Sequence, residues 1–146
     1  CSTLTPAVEM IRPFIKVPVI AIDDAMAKKS ITYGDHVLVM ATAGSTVSPT
    51  VSKIRREGER AGRQLSIDTC VCADAFQALK AMDMELHDRI LKERAENLAA
   101  YDCIVLAQAS MAHLEEDIGG LTRCPVLTSP RLCVEEIKNK LEGIRQ

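Results

Sequence analysis

The sequence predicts an α/β protein: a parallel sheet flanked by helices, with one complete flavodoxin-like half and the remnant of a similar first half. Three observations carry that expectation. Short, β-branched apolar runs alternate with longer segments of helical spacing. Small polar residues follow each apolar run, where a strand would pass the chain to a helix. Finally, "KVPVIAIDDAMAKK" (16–29) aligns without gaps on "RCPVLTSPRLCVEE" (123–136), an offset of 107 residues.

Taken in order, "CSTLTPAVE" opens the chain, "VPVIAI" (17–22) reads as a strand, and "DAMAKKS" reads as a helix that Asp23 or Asp24 is expected to cap. "HVLVMAT" (36–42) has the composition of a buried strand. Ser48 and Pro49 then form an N-cap and first-position pair for a helix whose inner face is Val51, Ile54, Gly58 and Ala61, with Gly62 closing it. "LSIDTCVC" (65–72) reads as a second strand, residues 74–100 as helical, and "DCIVLA" (102–107) as a third strand. The helix-compatible "QASMAHLEEDIGG" leads to "CPVLTS" as a fourth strand and "PRLCVEEIKNKLEGI" as a closing helix. In such a sheet ligands bind beyond the carboxyl ends of the strands, so chemistry is sought in "TAGST", "CADA", "QASM" and "TSPR".

At the same 107-residue offset Cys1 falls on Gln108, Thr3 on Ser110 and Leu4 on Met111. "CSTL" thus takes the place that "QASM" holds at the end of "DCIVLA", and a strand is expected upstream of Cys1. Residues 1–30 are expected to be the tail of a first α/β half, 31–128 a second half, and 129–146 a closing helix available to pack back on the first.

Composition excludes several functions. A net charge of −2, no Trp, two Tyr and two Phe leave little to attract or stack nucleic acid. The run Lys53, Arg55, Arg56, Arg60 and Arg63 is interleaved with Glu57 and Glu59 and reads as a solvated helix face. No apolar stretch reaches the roughly 20 residues of a membrane span, and no signal peptide stands at the front. Six cysteines scattered through apolar runs fit reduced thiols in a cytoplasm. Cys70 and Cys72 share a strand face with no zinc-spaced partners, so they read as core residues and no metal site is expected.

Candidate chemistry gathers at the loops. Cys1 stands where a helix N-terminus would lower a thiol's pKa, with the hydroxyls of Ser2, Thr3 and Thr5 around it. Thr42, Gly44, Ser45 and Thr46 have the composition of an anion cradle, without the lysine of a phosphate loop. His36, His87 and His113 read as structural residues, His113 being near enough to the crevice to be kept as a candidate.

Together "CSTLTPAVE", "VPVIAIDDAM", "VLVMATAGST", "DCIVLAQASM" and "CPVLTSP" resemble the aspartate/glutamate/hydantoin racemase superfamily. The resemblance implies two similar α/β domains around a cleft, no cofactor, and a cysteine from each domain flanking the substrate's α-carbon. It makes Cys1 the first-domain base and places Ser2 and Thr3, with Thr42, Gly44, Ser45 and Thr46, on a substrate carboxylate. The second catalytic cysteine is replaced by Gln108, which cannot ionise. Ser110, Met111 and His113 follow it: Gln108, Ser110 and Met111 are expected to help hold the substrate's carboxylate and oxyanion, with Ser110 and His113 as substitutes for the second base.

The expected activity is therefore a cofactor-independent racemase or isomerase acting at a carbon next to a carboxylate, with Cys1 as base. The alternatives are an arylmalonate-type decarboxylase or other single-cysteine lyase, a non-catalytic carboxylate-binding member, and an N-terminal-nucleophile amide hydrolase. The expected partners are a small carboxylate substrate and further copies of the chain, completed by the segment missing upstream, with neither nucleic acid nor membrane.

Overall fold

The structure is a computed structural model that describes residues 2–144. Its centre is a four-stranded, wholly parallel sheet of β1 (His36–Ala41), β2 (Ser66–Val71), β3 (Cys103–Leu106) and β4 (Val126–Thr128), in the order β2-β1-β3-β4. The predicted α/β class is the one observed.

β1 and β3 lie at the centre and are covered on both faces, which is why they are continuous apolar runs without alternation. Leu38, Met40, Ile104 and Leu106 point to one face, where α4 (Ala73–Lys80), α5 (Met84–Glu96) and α6 (Glu115–Thr122) supply Ala75, Leu91, Ala95 and Ile118. Val37, Val39, Ala41 and Val105 point to the other, against Met26 of α2 (Asp24–Ser30), Ile54 of α3 (Val47–Arg60) and Leu132 of α7 (Ser129–Ile144). β2 is an edge strand with an exposed, more polar sequence. Among the described residues no helix is long and apolar enough to cross a membrane.

Three expectations are corrected. Residues 17–22 do not form a strand. Side chains satisfy that backbone instead of a ladder: Asp24 Oδ2 accepts the Ala21 N–H at 2.8 Å, and Arg12 Nε donates to the Val19 carbonyl at 2.9 Å. The α3 helix begins at Val47, not after Ser48, because the 3-10 turn Gly44–Thr46 runs straight into it. Pro49 sits in the first turn, where its missing N–H costs nothing. Residues 74–100 are two helices, since Met82 takes a left-handed φ of 60° and Asp83 Oδ1 starts α5 by accepting the Leu86 N–H at 2.9 Å.

Candidate active site at the switch point of the sheet

From β1 the chain moves outward to β2, then crosses back to β3 and on to β4, so the strand order reverses between β1 and β3. The crevice at such a reversal is where open α/β sheets bind ligands. Here it lies between Thr42–Thr46, after β1, and Gln108–Met111, after β3. The Gln108 side chain bridges it. Its Oε1 accepts three hydrogen bonds, from the Thr42 N–H at 2.6 Å, the Thr42 hydroxyl at 3.1 Å and the Ala43 N–H at 2.9 Å. Thr42 is buried and Gln108 half-buried.

The other expected site residues are placed less evenly. Gly44 and Ser45 are exposed at the mouth, whereas the Thr46 hydroxyl is spent on the Ala43 carbonyl at 2.8 Å. Met111 sends its side chain into the core and offers the crevice nothing beyond its backbone, whose N–H bonds the Gln108 carbonyl at 3.0 Å. Ser110 is half-buried beside it. His113 faces away toward α5, where its Nε2 meets the Asp88 carboxylate at 2.9 Å, and Asp88 also bonds the buried His87 at 2.7 Å. The 3-10 turn Ser2–Leu4 packs against Gly44–Thr46 and α3, with Thr3 exposed. Cys1 lies outside the described residues.

Behind these loops stands a buried charge cluster. Lys53, assigned from the sequence to a solvated face, is only 3 % exposed. Its Nζ lies 2.6 Å from carboxylate oxygens of both Asp23 and Asp24. The Thr5 hydroxyl, at the start of α1 (Thr5–Ile11) directly after Ser2–Leu4, donates to Asp23 at 2.9 Å, and Arg12 pairs with Asp24. Neither aspartate caps α2, contrary to expectation, because both side chains are committed to this cluster. Burial alone would raise the Asp24 pKa, yet the Lys53 ammonium, the Ala21 N–H and Arg12 together hold it below the ordinary carboxylate value. The sequence did contain a signal: Lys53 is adjacent to Ile54 on the face that packs inward, and two consecutive aspartates preceded the helix beside it.

The described thiols differ in readiness to ionise. Burial pushes Cys103 up to about 12 and raises Cys124 and Cys133 as well. Cys70 goes the other way, to about 6, because the Cys72 thiol 3.9 Å away hydrogen-bonds to it and Arg94 is near. Cys72 is correspondingly raised. Cys72 is buried as expected, but Cys70 is only partly so. Among the described residues no cluster of metal-ligating side chains occurs. A separate groove of about 550 Å³ runs between α2, α3 and α7, but Arg12, Lys28, Lys53 and Arg56 on its walls are already paired with carboxylates.

Residues 1–137 match the family model described as Asp/Glu/Hydantoin racemase. No curated protein matches in sequence. Among solved structures the chain is similar to the glutamate racemase isoform RacE1 of Bacillus anthracis, with TM-score 0.72 and 13% identity, over 98% of this chain and 56% of that one. It is also similar to an allantoin racemase of Klebsiella pneumoniae, with TM-score 0.66 and 17% identity over 96% and 57% of the two chains. A third likeness is to allantoin racemase AllR of Pseudomonas fluorescens, with TM-score 0.60 and 24% identity over 88% and 54%. These likenesses concern the fold, and the chain spans little more than half the length of each.

Proposed function

The chain belongs to the Asp/Glu/hydantoin racemase family, and on that premise we propose a cofactor-independent racemase or isomerase acting at a carbon next to a carboxylate. The substrate class is an amino-acid-like or other small carboxylic acid. One observation carries the proposal: at the switch point, two backbone N–H groups and a hydroxyl converge on a single oxygen. Removing a proton from the α-carbon drives negative charge onto the carboxylate oxygens, and fixed donors aimed at such an oxygen are what lowers that barrier.

In this reading Cys1 is the base, on the family resemblance and on its place directly before the turn that packs against Gly44–Thr46. The opposite face holds Gln108 where relatives are expected to carry a second thiol. A side chain that cannot ionise cannot return a proton. Exchange with retention or an isomerisation needs Cys1 alone, whereas racemisation needs another group, such as Ser110, to deliver the proton on the opposite face.

The same glutamine favours a second reading, a decarboxylase of the arylmalonate type. There the carbon–carboxyl bond breaks, carbon dioxide leaves, and the electron pair left on carbon takes one proton from the Cys1 thiol. A single proton donor suffices.

Incubating the protein with small amino, hydroxy and malonic acids in deuterated water, followed by proton NMR, decides among these. α-Deuteration that disappears in Cys1→Ala supports the first reading, and carbon dioxide release without exchange supports the second. Binding of a carboxylate with neither reaction refutes both and leaves a non-catalytic carboxylate-binding protein.

A further inference from the structure

Gln108 stands at the start of the turn Ala109–Leu114, yet its side chain does not cap that turn. It reaches across the crevice and fills the Thr42–Ala43 loop. The donors it takes are those that the proposed function assigns to a ligand, so the inference rests on that reading. Three donors directed at one oxygen leave no place for a second oxygen on the same groups. Seating Gln108 and seating a carboxylate there exclude one another.

The mouth of the cradle faces solvent, while Thr42 at its base is covered with Gln108 in place. Gly44 and Ser45 at its mouth are exposed, and a Cβ placed on Gly44 would meet nothing within 4 Å. We propose that Gln108 is an intramolecular latch: its side-chain carbonyl occupies the carboxylate cradle of the resting chain, and a ligand carboxylate binds by displacing it. Charge-assisted bonds to a carboxylate are roughly twice as strong as neutral ones, so a ligand that offers this group can compete with a tethered amide. A ligand without such an oxygen has nothing to exchange for it. The latch thus sets both specificity and affinity, since the observed dissociation constant is the intrinsic one divided by the unlatched fraction.

Formate, the smallest carboxylate, is the probe, titrated into the ¹⁵N-labelled full chain and followed by NMR. In the parent chain the Thr42 and Ala43 amide signals and the Gln108 side-chain amide signals are expected to shift together. Gln108→Ala is expected to bind formate at least about tenfold tighter, as a latch closed nine-tenths of the time requires. Gln108→Glu supplies a tethered carboxylate and is expected to weaken formate binding below that of the parent. The latch is overturned if Gln108→Ala binds no tighter, or if Thr42 and Ala43 respond while the Gln108 side chain does not. Should Gln108→Ala not fold, the joint displacement in the parent chain decides alone. Formate binding is read without turnover, so the two proposals fail separately. A working latch with no exchange or decarboxylation on any acid overturns the proposed activity only, and turnover with no gain in Gln108→Ala overturns the latch only.

Discussion

Lys53 shows how one side chain can hold two segments in register. Buried between Asp23 and Asp24, it compensates two carboxylates that would otherwise sit charged out of water. Breaking such a buried pair from one side costs about 3–5 kcal/mol. Lys53→Met is therefore expected to lower unfolding stability by that amount in urea titrations, whereas Arg60→Met, on an exposed pair of the same helix, should change it by less than about 1 kcal/mol. Thiol reactivity is a second residue-scale matter. With Cys70 lowered to about 6 and Cys103, Cys124 and Cys133 raised, iodoacetamide at pH 7 should modify Cys70 first among these, as peptide mass spectrometry would show. At this scale the sequence was partly legible. Thr42 and Gln108 could be found because strand-end loops announce themselves. That Gln108 would fill the cradle depended on two loops separated by 66 residues meeting, which no local pattern encodes. Lys53 was misassigned because charge spacing reports which residues share a helix face, not which face is covered.

Elements show the same division between local and long-range causes. β1 and β3 were readable because a strand covered on both faces must be apolar throughout. Residues 17–22 carry the same signal, yet no strand pairs with them among the described residues, and Asp24 and Arg12 bind their backbone instead. Strand propensity without a neighbour makes no strand. The α4–α5 break was missed because its cause is a backbone conformation. Met82 adopts a left-handed φ although it is not glycine, and its side chain is 88 % exposed, so packing gains nothing from it. Met82→Gly should relieve that strain and raise stability by up to about 1 kcal/mol. Gly62, with φ of +68°, is the converse case at the end of α3. Gly62→Ala should cost about 1 kcal/mol in thermal or urea unfolding, although the added methyl touches nothing.

For the whole molecule, the response to acid follows from carboxylates on both sides of the sheet. Asp24, next to α3, is held low by Lys53 and Arg12 against its burial. Asp88, on α5, is held low by His87 and His113, again against burial. A lowered folded pKa favours folding fully above the unfolded value of about 3.9, and the gain is lost as pH falls through the lower folded value. The melting temperature should hold between pH 7 and about 5 and fall below about 4, with a shallower acid slope in Asp24→Asn measured relative to its own value at pH 7. The buried triad of Lys53, Asp23 and Asp24, with Thr5 hydrogen-bonded to it, has a mechanical consequence too. It rivets the segment that begins at Ser2–Leu4 to α3, and α3 itself starts at the loop that follows β1. The first turn of the chain and the Thr42–Thr46 loop are thereby tied to one helix, so a widening of the crevice is expected to displace the opposite side, that of Gln108.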